Sequence, residues 1–309
     1  TKANTWLLPG NGAVCRELVS VDSIADKDII NTFRSFYTPE NMTLIIVGNF
    51  EWQAVRDRIR NTFGHLQPLP DNKKLKKTVH TPPYPTDGPK QVTGTFAPFL
   101  ASNGFVAVAF RTAGSDSPDA AALEVLSSYL NATLYEQIRI KHGLSYSPEA
   151  AVFMAPDYGI LYVTADSGLR QIDHVSELLH QTLERVVAVT PTAEEVARTR
   201  QRILLQWVQG YETNAGLADF YVSVLHRLNK AGRFANYEQE IERVTPTALA
   251  RVAKTTIRRD RQVEVRGVPT LSYTWFYFGL GAAAVVLIFI FSLLVRTVSR
   301  SKEMPWYRR

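Results

Sequence analysis

Residues 36–48 read FYTPENMTLIIVG, and the period of the chain changes inside that stretch. Upstream, from Asp26 to Tyr37, apolar Ile29, Ile30, Phe33 and Phe36 recur at the spacing of one helix face. Pro39 and Asn41 stop the helix, and Met42 to Val47 (MTLIIV) is an apolar run of strand length closed by Gly48. The stretch therefore predicts a helix, a polar turn and a buried strand. The same order returns near the other end. Ser23 to Arg34 lies over Arg243 to Lys254 at a constant offset of 220 residues, with polar turns at 38–41 and 258–261 and strands ending at Gly48 and Gly267. Such a repeat predicts two related domains, each closed by one helix–turn–strand unit. The second unit follows about 150 residues of its own structure and the first only about twenty. The expectation is that the front of the first domain is missing from the chain.

Outward from these units, a helix is expected at Trp52 to Phe63. Residues 68–89, rich in Pro and Lys (PLPDNKKLKKTVHTPPYPTDGP), read as a linker. Beyond it come strands at Gly104 to Phe110 and Gly159 to Ala165, with helices at Asp119 to His142, Gln171 to Val187 and Ala193 to Asn229. A helix at Pro246 to Thr256 and a strand at Val263 to Val265 follow. The predicted class is α+β: antiparallel sheets with helices packed on one face, in two related domains of which the first is incomplete, plus one C-terminal transmembrane helix. The divisions are 1–67, the C-terminal part of a first domain; 68–89, a linker; 90–268, a complete second domain; 273–295, a transmembrane helix; and 296–309, a basic tail.

The membrane segment is the plainest feature of composition. No residue between Arg266 and Arg296 is charged, and Tyr273 to Val295 is 23 residues of nearly unbroken apolar character. Helical rise makes that about 34 Å, enough for a hydrocarbon core of about 30 Å. Tyr273, Trp275, Phe276 and Tyr277 supply an interfacial aromatic belt at one end. Past the span, Arg296, Arg300, Lys302, Arg308 and Arg309 face one acid, Glu303. Positive flanks stay in the cytoplasm, which predicts a single-pass membrane protein with a cytoplasmic tail and an extracytoplasmic domain, periplasmic in a bacterium. Arg258, Arg259, Arg261 and Arg266 on the other side reduce that asymmetry. Gly279, Gly281 and Ala282 to Ala284 offer a close-packing face to other transmembrane helices. The net charge of +6 is spread along the chain without a basic and aromatic stripe, which argues against nucleic acid as a partner. Cys15 is the lone cysteine, so no internal disulfide or Cys-based metal site exists.

Residues 37–48 match the pattern YxPxNMxLxxVG, and this segment resembles one found in the insulinase, pitrilysin and mitochondrial processing peptidase family. Leu134-Tyr135-Glu136-Gln137-Ile138-Arg139, continuing through His142-Gly143-Leu144-Ser145-Tyr146, resembles that family's second hallmark, an Arg followed seven residues later by a Tyr with Gly-Leu between. The resemblance covers residues 10 to 266. It implies a zinc metalloendopeptidase whose metal is held by an inverted H-x-x-E-H helix and a distant Glu in the front of the first domain. None of the six histidines here stands in such a motif. The resemblance therefore implies no catalytic residue and no metal ligand in this chain; zinc would come from a missing N-terminal part or a homologous peptidase subunit. It also implies that Arg139 and Tyr146 bind a peptide substrate, reaching its carbonyl, where both can donate hydrogen bonds to a developing oxyanion. Read from the residues alone, Arg139 can equally cap a helix C-terminus and Tyr146 can be a packed aromatic. An alternative function remains open: a non-catalytic scaffold subunit of a membrane complex, like the core subunits of respiratory cytochrome complexes.

Two other groups of polar residues were candidates. His174, Glu177 and His180 share a helix, but successive positions turn by about 60°, which strains a shared ion, so they read as surface polar residues. Ser115, Asp116 and Asp119 read as a helix N-cap region.

Overall fold

The computed structural model describes residues 24–68, 88–95, 100–231 and 236–301. Helices α1 (Asp26–Phe36) and α2 (Trp52–Phe63) come first, with a 3-10 turn at Pro39–Asn41 after α1. Strands β1 (Lys90–Thr95), β2 (Leu100–Ala101) and β3 (Asn103–Thr112) open the second unit. Helix α3 (Ala120–Leu134) continues as a π-helix over Tyr135–Lys141 and is followed by β4 (Glu149–Met154) and β5 (Gly159–Gly168). Then come α4 (Ile172–Ala188), α5 (Ala193–Gly210), α6 (Asn214–Ala231), α7 (Tyr237–Glu242) and α8 (Pro246–Thr256). A 3-10 turn at Arg259–Arg261 leads into β6 (Val263–Val268), β7 (Leu271–Ser272) and α9 (Tyr273–Ser301).

The fold is α+β, as the sequence predicts. Strand order is β1-β6-β3-β5-β4. The sheet is mixed rather than wholly antiparallel, because β1 lies parallel to β6 from Lys90↔Val263 to Thr95↔Val268 while the other pairs are antiparallel. A second, two-stranded parallel pair joins β2 to β7. Alternation on β5 buries Leu161, Val163 and Ala165 and turns Tyr162 and Thr164 the other way. On the buried face Val106, Val108 and Phe110 of β3 meet Leu126, Leu130 and Leu134 of α3, Leu179 of α4 and Leu249 of α8 in one core. Each fully buried Leu contributes about 1.5–3 kcal/mol of hydrophobic stabilisation.

The repeat holds at the level of elements. Helices α1 and α8 and their 3-10 turns keep the same bounds at the 220-residue offset. The surroundings differ. In the second copy β6 has β1 on one side and β3 on the other, and α8 buries Leu249, Val252 and Ala253. In the first copy Met42 to Val47 forms no strand, contrary to expectation: among the described residues nothing pairs with it, and Leu44 and Ile46 stand exposed. The apolar face of α1 is equally uncovered, with Ile29, Ile30 and Phe33 exposed. An apolar run becomes a strand only where a neighbour takes its N–H and C=O groups.

Three more expectations change. The helix expected to His142 leaves α geometry at Tyr135. The one expected from Ala193 to Asn229 breaks at residues 211–213, where the Thr213 hydroxyl accepts the Gly216 N–H at 3.0 Å and starts α6. Strands β1 and β4 were not expected. Helix α9 contains an apolar segment, Tyr273–Thr297, with mean hydropathy 2.7 and none of it buried, long enough to cross a membrane. Cys15, most of the linker (69–87) and residues 302–309 of the tail lie outside the described residues.

Candidate functional site at the end of α3

The site begins with the way α3 ends. Its last turn widens to π geometry over Tyr135–Lys141, and Gly143, at φ +61°, turns the chain out of the helix in the left-handed region that suits glycine. The Gly143 N–H donates to the Arg139 carbonyl and the Leu144 N–H to the Ile138 carbonyl, both at 3.1 Å, while His142 Nδ1 lies 2.6 Å from the Gln137 carbonyl. These contacts occupy carbonyls that a helix end leaves open. Leu144 then packs on the core, and the buried Ser145 hydroxyl donates to Asp166 of β5 at 2.5 Å. Tyr146 is thus anchored by its neighbours while its own side chain is 74% exposed.

Arg139 and Tyr146, which the family resemblance implies as substrate-binding residues, lie against each other. The guanidinium carbon lies 4.4 Å from the Tyr146 ring centroid and 5.0 Å from that of Tyr135. Stacking of this kind holds the planar cation without using its N–H groups. Among the described residues neither the guanidinium nor the Tyr146 hydroxyl has a hydrogen-bond partner. The arrangement is an open pair of donors with the chemistry to bind an oxygen-rich or anionic group. Tyr135 is a contributor that the spacing argument missed; its position four residues before Arg139 on one helix was the available signal.

Elsewhere the candidates disperse. Asp119 stands at the N-cap of α3, makes no cap hydrogen bond, and instead binds Arg251 at 2.5 and 3.1 Å. The Asp119 N–H donates to the Ser117 hydroxyl, and Ser115 lies near the Ala155 carbonyl. His174 is exposed, its ring edge-on to His142 at 6.1 Å. His180 departs from the surface reading: its Nε2 lies 2.8 Å from Glu264 of β6, whose side chain is 7% exposed. Glu264 also accepts from Ser176 at 3.1 Å, Arg266 at 2.6 Å and Gln91 at 3.2 Å, and Arg266 reaches Asp173 at 2.5 Å. Burial alone would push the Glu264 carboxyl up, but the His180 and Arg266 bonds and charges outweigh it and hold the carboxyl at about 2. This network lines a cavity of about 560 Å³ between α4 and the β1 edge. Among the described residues no group of three His, Cys, Asp or Glu side chains could hold a metal ion.

Residues 23–203 match the family described as the peptidase M16 inactive domain. Among solved structures, a protease from Helicobacter pylori superposes with a TM-score of 0.72 at 18% identity, over 81% of this chain and 60% of that one. A peptidase M16 inactive domain from Pseudomonas fluorescens gives 0.68 at 15% identity, over 88% and 64%. Complex III2 from Candida albicans, with Inz-5 bound, gives 0.60 at 13% identity, over 81% and 60%. At these identities the likeness is one of fold, and the chain spans less than two thirds of each of those chains. No curated protein matches the sequence.

Proposed function

Because the chain belongs to the peptidase M16, or insulinase-type, family through its inactive C-terminal domain, we propose that it is the membrane-anchored, substrate-binding part of a zinc metalloendopeptidase. The zinc site would be supplied by an N-terminal part or a homologous partner subunit, since the described residues fit no metal. The observation that carries this reading is the free donor pair: Arg139, fixed over two tyrosine rings, and the exposed Tyr146, both with their hydrogen-bonding capacity unspent. The Arg139 guanidinium lies over the rings of Tyr135 and Tyr146, while the Gln137, Ile138 and Arg139 carbonyls of the helix end are met by His142, Leu144 and Gly143. In the assembled enzyme Arg139 and Tyr146 would donate to the peptide carbonyl oxygen as negative charge builds on it. Helix α9 would hold this half at the bilayer, with the domain outside the cytoplasm and the basic tail inside.

The test is peptide turnover by the chain completed with its zinc-bearing part. Arg139→Ala and Tyr146→Phe are each expected to lower turnover on the order of 100-fold while changing stability by only about 0.5–1.5 kcal/mol. The isolated chain should carry no stoichiometric zinc. Wild-type turnover in both variants, or one zinc per isolated chain, overturns the reading. A second reading, a non-catalytic scaffold in a membrane complex, is favoured by the likeness to Complex III2 and would stand if both variants turned over at the wild-type rate.

A further inference from the structure

We propose that the cavity at the neck between the soluble domain and α9 is a phospholipid headgroup site, taking the phosphodiester of a bilayer lipid. The proposal rests on the reading of α9 as a membrane span. The cavity, about 790 Å³, is built where three pieces of chain converge: the turn into α4 around Arg170, the β6–β7 connection at Pro269 and Thr270, and the first turn of α9 at Thr274 and Trp275. Its depth follows from Trp275. That residue lies in the first turn of the apolar segment Tyr273–Thr297, beside Tyr273 and Tyr277, whose rings stack at 6.2 Å, so the cavity opens at the level of lipid headgroups.

Its charge selects an anion. Arg170 is the one ionisable residue of the lining, and among the described residues it has no ion-pair partner. The arginine on β6, two residues before the lining residue Val268, is committed: Arg266 binds Asp173 and Glu264. The start of α4 adds partial positive charge from its opening N–H groups, and Gln171 at the N-cap makes no side-chain bond to them. Asp173, the acid of that first turn, is turned to Arg266 and lines the other cavity. A cation, open helix amides and neutral hydroxyls at headgroup height fit a phosphodiester, while the apolar wall of Ile172, Val268 and Trp275 fits the start of the acyl chains.

The test is native mass spectrometry of the full chain released from nanodiscs of phosphatidylcholine and phosphatidylglycerol. Wild type is expected to retain one phospholipid, Arg170→Glu about tenfold less of it, and Arg170→Lys most of it. Arg170 is exposed, so matched thermal unfolding of wild type and Arg170→Glu will exclude misfolding as the cause. Equal retention in wild type and Arg170→Glu overturns the proposal. Displacement of the lipid by glycerol 3-phosphate overturns it too, since the site would then serve a soluble phosphate. A chain that does not enter nanodiscs, or leaves vesicles in alkaline carbonate, has no span, and both readings fall; a chain that enters them and fails only the Arg170→Glu comparison loses the headgroup site alone.

Discussion

Glu264 is a carboxylate almost closed off from water and held ionised by His180 and Arg266. Its pKa falls from the ordinary 4.5 to about 2 in the folded protein, so the stability it contributes is fully present above about pH 4.5 and lost as pH drops towards 2. A shift of that size corresponds to at most about 3 kcal/mol. Melting temperature measured between about pH 5 and pH 2 should therefore fall steeply for the wild type and less steeply for Glu264→Gln, which starts lower because His180 and Arg266 lose their anion. Parallel slopes would remove Glu264 from the account of acid sensitivity. Nothing local in the sequence announces this residue, since His180 lies 84 positions away and joins it only through the packing of α4 on β6. Arg139 and Tyr146 were singled out by the family resemblance, whereas their spacing alone left helix capping and a packed aromatic equally open; the structure lays the guanidinium 4.4 Å from the Tyr146 ring centroid.

The end of α3 carries the next lesson. A helix through residue 142 was readable from its apolar spacing, but seven residues are too few for a π pitch to leave its own period, so the widening was not. Gly143 was readable as a helix stop, and its left-handed φ of +61° makes its role specific. A Cβ there would meet nothing within 4 Å, so Gly143→Ala costs only backbone strain, about 1 kcal/mol, and Gly143→Asn less. Chemical denaturation should rank the three glycine, asparagine, alanine in falling stability. Equal stability of alanine and glycine would mean that the turn relaxes out of the left-handed region. The strand expected at Met42 to Val47 failed for a different reason: ladder partners are a property of the sheet, and apolar character alone does not provide them.

Across the whole molecule the two repeat copies make a matched experiment. Ile29 and Leu249 occupy the same position in α1 and α8, one 60% exposed and the other 1%. Ile29→Asp should move the stability of this chain by less than about 0.5 kcal/mol, and Leu249→Asp should cost several kcal/mol by burying a charge. If the uncovered face of α1 is where the zinc-bearing part docks, Ile29→Asp will also weaken that association at least about tenfold by calorimetry. Undiminished association would mean that the face is covered by something else. The recurrence of the helix and its 3-10 turn was legible in the 220-residue offset because element lengths survived in both copies. Exposure was not legible, since it depends on neighbours.

The parallel pairing of β1 with β6 and of β2 with β7 sets how the second domain bears load. Its entry strand and its exit strand run side by side in the same direction. When the chain is drawn taut between Lys90 and the start of α9 at Tyr273, the two strands are dragged lengthwise past each other, and the rungs of the six-residue ladder are strained together rather than peeled one by one. The joint behaves like a lap seam in shear, so tension between α9 and the start of the domain is carried by the β1–β6 seam at one side of the sheet while β3, β5 and β4 stay slack.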